Sequence, residues 1–167
     1  MKTLVIGAGN PSFRDDGAGL KVIQILRNKL AGLKSITFLE TSSAGLDLLN
    51  FIGDYKKAII VDAVITPTGE AGNVHRLTIA DIISKESSFP HQIDYAGALH
   101  IAKETGLPIP EEIIFYGIEV KDINEIGEGY SPEVERAIDL CVEKIIQELN
   151  EKREEKSSVK QVDTCSG

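Results

Sequence analysis

Leu4-Val5-Ile6-Gly7-Ala8-Gly9-Asn10-Pro11-Ser12-Phe13-Arg14-Asp15-Asp16-Gly17-Ala18-Gly19 reads as an apolar strand that ends in glycines, turns through Asn-Pro and enters a helix behind two aspartates. A strand that passes through a glycine turn into a helix begins an α/β unit. The aspartates are the unusual part, because they stand beside a helix N-terminus at the mouth of a sheet. Phosphate-binding loops avoid this arrangement. Their backbone N–H groups and positive helix end attract anions, and two fixed negative charges there repel a phosphate and suit a metal or a proton-transfer role.

Outward from this stretch the same alternation continues. Thr3 to Ile6, Ile36 to Glu40, Ala58 to Asp62, Asn73 to Leu77 and Ile113 to Val120 are short, rich in β-branched residues and bounded by glycines or charges, so they are predicted strands. Helical period appears between them. Leu20, Ile23, Leu26 and Leu30 form one stripe, Leu46, Leu48, Leu49 and Ile52 a second, and Tyr95, Leu99 and Ala102 a third. The last helix is predicted from Ser131 to about Asn150, with Ser131 as N-cap and Pro132 at the first helical position. Alternating strands and helices predict an α/β three-layer sandwich, its largely parallel, twisted sheet covered on both faces. In such sheets ligands lie beyond the carboxyl ends of the strands, where the strand order reverses. Gly7 to Asp16 follows the first strand and Asp62 closes the third, so both reach one rim if those strands are neighbours.

The chain has 167 residues, 42% hydrophobic and 26% charged, enough for one domain with a real core. Residues 1–150 form the predicted single α/β domain and residues 151–167 a charged, frayed tail. That tail holds four acids and four bases, so the net charge of −8 sits in the body. The basic footprint of a nucleic-acid binder is missing. Met1-Lys2-Thr3 runs directly into a strand without the basic and long apolar segments of a signal, and no apolar run approaches the ~18 residues that span a bilayer. No nucleic acid and no membrane insertion are expected. The two cysteines are far apart, which fits a reducing cytosol and a cytoplasmic protein. Cys141 falls in the buried stripe Val134, Ala137, Ile138, Cys141, Val142, Ile145 and Leu149, and Cys165 lies in the tail.

Three side chains stand out as candidates for chemistry. Asp16 has two readings: a carboxylate before a helix caps free N–H groups, contributing on the order of 1 kcal/mol, or it faces the cleft, in which case Asp15 is the cap. Asp62 ends the apolar run Ala58-Ile59-Ile60-Val61, and a charge delivered to a sheet edge by a buried strand needs backbone donors, a cation or water to compensate it. His91 lies between Pro90 and Gln92 ahead of a helix, where it is either a surface residue or a neutral metal ligand. His75, mid-strand beside Arg76, and His100, on a helix flank, compete poorly. Two carboxylates and one imidazole make a three-ligand set for a borderline divalent ion with open positions. So small a set binds weakly alone and fits a metal for which a partner supplies further ligands. The same trio could activate water without metal.

Familiar motifs fail on detail. Gly7-Ala8-Gly9 supplies two glycines of a dinucleotide fingerprint, but Ser12 takes the third place and Asp15-Asp16 repels pyrophosphate, although Glu40 imitates the ribose-binding acid. Neither a phosphate-loop Gly-x-x-x-x-Gly-Lys-[Ser/Thr] run nor a Gly-x-Ser-x-Gly elbow occurs.

Taken together the motifs resemble the hydrogenase maturation endopeptidases. Their opening pattern Gly-x-Gly-Asn-x-x-x-x-Asp-[Asp/Glu]-x-x-Gly is matched by Gly7, Gly9, Asn10, Asp15, Asp16 and Gly19. Asp62-Ala63 matches an Asp-Ala pair at the end of a central strand, and His91-Gln92 a His-Gln pair ahead of a helix. Similarity continues through Gly69 to Val74, Gly117-Ile118-Glu119 and Ser131-Pro132-x-Val134, covering most of residues 1–150. Two departures are Glu40-Thr41-Ser42-Ser43-Ala44-Gly45, where the family is often glycine-rich, and Val120, where a proline is common.

The resemblance implies a five-stranded sheet between helices, of the phosphorylase/hydrolase-like kind. It implies an endopeptidase that removes a short C-terminal extension from the precursor of a nickel-hydrogenase large subunit once nickel is inserted. Asp16, Asp62 and His91 fall on the family's nickel-recognising and catalytic positions, and the nickel arrives with the precursor, whose thiolates complete its coordination. Substrate-side contacts fall on Gly9, Asn10, Ser43 and Gly45. A metal-bound water, an aspartate as general base, or both perform the attack. Two rivals remain. Gly9-Asn10-Pro11 is similar to the opening of peptidyl-tRNA hydrolases, but their histidine-asparagine element is lacking and tRNA prefers positive charge. A non-catalytic nickel-sensing assembly chaperone for the large subunit would carry the same trio.

Overall fold

The computed structural model describes residues 2–42, 45–84 and 92–162. Five strands form its sheet: β1 (Thr3–Ala8), β2 (Ile36–Thr41), β3 (Lys57–Val64), β4 (Val74–Thr78) and β5 (Glu112–Glu119). Helices α1 (Ala18–Lys29), α2 (Leu49–Ile52), α3 (Ile79–Ser84), α4 (Gln92–Thr105) and α5 (Pro132–Val162) connect and cover them. Short 3-10 turns at Arg14–Gly17 and Gly45–Leu48 lead into α1 and α2. The predicted strands all form, each within two residues of its expected ends.

The sheet order is β2-β1-β3-β5-β4, parallel except for β4, which pairs antiparallel with β5 at the edge. β1 runs between β2 and β3, with Gly7 opposite both Glu40 and Val61. Chain order therefore reverses between β1 and β3. This is the crevice position where open α/β sheets bind ligands, and it meets the condition that β1 and β3 be neighbours.

Side-chain alternation sorts the core into two layers. Val5, Ile59, Val61, Ile114 and Ile118 pack against α1 and α5, with Val22, Ile23, Leu26, Ile138, Cys141 and Ile145 from the helices. Leu4, Ile6, Ala58, Ile60, Ile113 and Phe115 pack on the other side against Leu48, Ile52, Ile82, Tyr95 and Leu99. Both faces of the parallel strands are thus covered, and β1 and β3 are buried throughout. Cys141 is a core residue whose thiol is pushed up to about 12 by burial, far from a reactive thiolate; Cys165 lies outside the described residues.

Three details differ from the pattern-based expectations. Leu46, assigned to the second apolar stripe, is 57% exposed, because that stretch forms a 3-10 turn and one short helical turn rather than a continuous helix. α3 was not expected. α5 continues to Val162, beyond its expected end near Asn150. Glu, Lys and Arg fill residues 151–156, and their high helix propensity favours continuation of the helix. Among the described residues no helix is long and apolar enough to cross a membrane.

Candidate active site

The site is assembled by the loop after β1 and the end of β3. Gly9 has φ +148, and a Cβ there would collide with the backbone oxygen of Asp16, so only glycine lets the loop fold back so tightly over the turn that follows. The fold-back is closed by Asn10, whose N–H donates to Asp16 Oδ2 at 2.9 Å. Gly19 permits a second close approach: a Cβ would meet the Ala8 and Val61 oxygens. The start of α1 thereby sits directly on the ends of β1 and β3, and the Arg14–Gly17 turn packs against β3.

Neither aspartate is a cap of the helix it precedes. The N-caps of the 3-10 turn and of α1 are Phe13 and Gly17, and neither end carries a side-chain cap. The capping reading of Asp16 and the expectation that Asp15 caps this helix are both corrected. Asp15 turns away from α1 instead: its carboxylate, 9% exposed, accepts the Ser131 N–H at 2.7 Å and the Ser131 hydroxyl at 2.8 Å. Burial, with the Asp15 charge added, pushes the neighbouring Tyr130 hydroxyl up.

Asp62 is 7% exposed and stands on the face of β3 that also carries Ala58, Ile60 and Val64. The Tyr95 hydroxyl donates to Asp62 Oδ2 at 3.0 Å. Tyr95 comes from the first turn of α4 and is held by the ring of Phe115, with centroids 5.3 Å apart. Tyr95 was legible in the sequence only as a member of an apolar stripe, and its polar tip is the functional signal that stripe conceals. Opposite Asp62 on β5 is Gly117, and opposite Gly117 on β4 is His75.

His91 and Ser43 lie outside the described residues. Gly45 is buried in a left-handed conformation, φ +72, at the start of the turn leading to α2, while Gly9 and Asn10 line the folded-back loop. Among the described residues no group of three or more His, Cys, Asp and Glu is placed to hold a metal. Asp16 and Asp62 are the two members of the expected trio that can be located, and the pairing of β1 with β3 brings their segments to one rim.

A polar cluster at the end of β5 escaped sequence reading. Glu119, 1% exposed at the end of β5, accepts the Thr66 N–H at 2.6 Å and hydroxyl at 3.1 Å and contacts His75 Nε2 at 2.9 Å. It fastens the β3–β4 loop beside an open groove of about 490 Å³ lined in part by Thr66, Gly69, Lys121 and Glu133. His75 is thus engaged by a carboxylate, as the mid-strand reading leaves open, and His100 is exposed. An acid at the close of an apolar strand, as in Ile113 to Glu119, is the signal that was available. Glu40 binds Arg27 at 3.0 Å and Gln24 at 3.2 Å, both from α1, which removes it from the ribose-binding role.

The sequence profile of the family described as hydrogenase maturation protease matches residues 20–148, a stretch that includes Asp62 and His91 and begins just after Asp16. The chain is 25% identical over 153 residues to the hydrogenase 2 maturation protease of Escherichia coli, covering 90% of this chain and 92% of that protein. Among solved structures it is similar to the hydrogenase maturating endopeptidase HybD from E. coli, with TM-score 0.74, 26% identity, and coverage of 91% of this chain and 94% of that one. It is also similar to the [NiFe] hydrogenase maturation protease HybD from Thermococcus kodakarensis, with TM-score 0.69, 28% identity, and coverage of 89% and 99%.

Proposed function

The chain belongs to the hydrogenase maturation proteases, a family of peptide-bond hydrolases, and from that premise we propose that it removes the C-terminal extension of a nickel-containing hydrogenase large-subunit precursor after nickel insertion. Nickel is part of the substrate in this reading and is recognised where it sits in the precursor. Asp16, Asp62 and His91 are the residues that engage it. Three residues of chain, Gln92 to Asp94, separate His91 from Tyr95, and Tyr95 is hydrogen-bonded to Asp62.

The observation that carries the reading is the β1–β3 pairing, which places the Asp16 turn and Asp62 at the reversal of strand order. Oxygen donors with one imidazole suit a borderline divalent ion, and two carboxylates offset its charge. Asp62 is fixed by Tyr95 and Asp16 by the Asn10 N–H, so both are presented with little freedom to lose. Orientation of the scissile peptide against such groups supplies much of a hydrolytic rate. Bound nickel would add Lewis-acid polarisation of the reacting carbonyl or water. Gly9 and Asn10, with Ser43 and Gly45 across the rim, are the proposed substrate-side contacts.

The test is the mass of a nickel-loaded precursor after incubation with this protein. Loss of a C-terminal peptide is the expected result. An unchanged mass with a stable complex would overturn cleavage and leave a nickel-sensing assembly role.

A further inference from the structure

The Ser12–Gly17 segment is held from outside its own helix. Gly127 N–H donates to the Ser12 carbonyl at 3.0 Å and Arg14 N–H to the Gly127 carbonyl at 3.2 Å, a short parallel ladder. Arg14 also meets Glu125 at 2.6 Å, but this pair is exposed and therefore weak. Asp15 is different in kind. Both its oxygens are used at 2.7 and 2.8 Å by Ser131, the residue before the first turn of α5, and the carboxylate is buried. Charge-assisted bonds of this length are among the stronger polar contacts in proteins.

Between the ladder and the clamp, Arg14 adopts φ 25, the one positive φ outside glycine among the described residues. Such a conformation persists only where neighbours over-determine it. Asp16 is the next residue after the clamp, and its carboxylate is directed to Asn10 instead. Adjacent side chains thus divide two tasks, one gripping α5 and the other facing the loop at the rim.

We propose that Asp15 is a positioning residue: clamped by Ser131, it fixes the strained turn against the longest helix of the fold and so sets where the Asp16 carboxylate stands. This rests on the assignment of Asp16 to the peptidase site. Because displacement of a catalytic group by about 1 Å can cost about 10²-fold in rate, the clamp acts on turnover more than on substrate binding.

The experiment compares the parent with Asp15→Ala, Asp15→Asn and Glu125→Gln, each below its own unfolding transition. Asp15→Ala lowers kcat for precursor processing by about tenfold or more, with KM changed less than about threefold. Asp15→Asn recovers to within about threefold of the parent, since its oxygen accepts the Ser131 N–H and its amide donates to the Ser131 hydroxyl. Glu125→Gln stays within about twofold. A kcat for Asp15→Ala within about threefold of the parent overturns the proposal, as does an Asp15→Asn as slow as Asp15→Ala, which would assign the effect to charge. Amide exchange reads the clamp without any activity: the Asn10 N–H, held by Asp16, exchanges about tenfold faster in Asp15→Ala while Ile60 in β3 is unchanged. Unaltered exchange at Asn10 defeats the clamp even if the parent leaves the precursor intact, an outcome that by itself counts against the peptidase assignment alone.

Discussion

Asp62 shows what a sequence can and cannot announce about one residue. A charge closing the run Ala58-Ile59-Ile60-Val61 is visible in one dimension, because desolvating it demands a reason. Its reason is partly Tyr95, and that was hidden, since a tyrosine at helical spacing looks like core until the tertiary fold shows where its hydroxyl goes. By residue chemistry alone Asp15 and Asp16 read alike, since both precede a helix; the family resemblance singled out Asp16, and in the fold Ser131 takes Asp15 while the Asn10 N–H takes Asp16. Two outcomes follow at this scale. Tyr95→Phe keeps the ring contact with Phe115 and removes the donor to Asp62, so the precursor is processed more slowly and urea unfolding shows a loss of about 1–2 kcal/mol. Asp62→Asn still accepts from Tyr95 and keeps stability within about 1 kcal/mol, while processing followed by product mass falls by about two orders of magnitude.

At the scale of elements, the strands and long helices were legible because period 2 and period 3.6 are strong signals over such lengths. α3 was missed because six residues are too short to establish a period, yet its start was written locally. Thr78 N–H donates to Asp81 Oδ2 at 2.8 Å and Asp81 N–H to Thr78 Oγ1 at 3.3 Å, a reciprocal capping box with Asp in place of Glu. Thr78→Ala is expected to cost about 1 kcal/mol in chemical unfolding, and Thr78→Ser to restore most of it. The antiparallel direction of β4 was beyond the sequence, since alternation does not encode strand polarity. His91 and Ser43 fall outside the described residues, so the structure bears on two members of the trio.

For the whole molecule, the amino-terminal end of the sheet is stitched to α5 by a partly buried ionic network that no motif marked. Lys57, its side chain 2% exposed, meets Glu148 at 2.8 Å and Glu112 at 3.6 Å, and Arg76 meets the same Glu148 at 2.8 Å. Burial pushes the Glu148 carboxyl up, but hydrogen bonds and charge from Arg76 and Lys57 prevail and hold it at about 2. Tyr116 beside it is pushed up to about 12 by burial and by the Glu148 charge. Glu148 has its folded pKa below the unfolded value, so its contribution is complete above pH 4.5 and is lost as pH falls from there towards 2. Unfolding free energy is expected to drop by on the order of 2 kcal/mol across that window from this group. Glu148→Gln should flatten that slope and lower neutral-pH stability by about 3 kcal/mol, because it weakens the pairing of a buried lysine. The network lies at the opposite end of the strands from the site, so processing by the folded Glu148→Gln protein should match the parent.

The central claim is that the rim between β1 and β3 presents Asp16 and Asp62 to a metal held by another protein. The most direct measurement is the rate of precursor cleavage, followed by mass, with nickel-loaded and nickel-free precursor and with the parent and Asp16→Asn, Asp62→Asn and His91→Ala proteins. The account predicts cleavage of the loaded precursor by the parent alone. Equal cutting of nickel-free precursor, or undiminished cutting by Asp62→Asn, would contradict it.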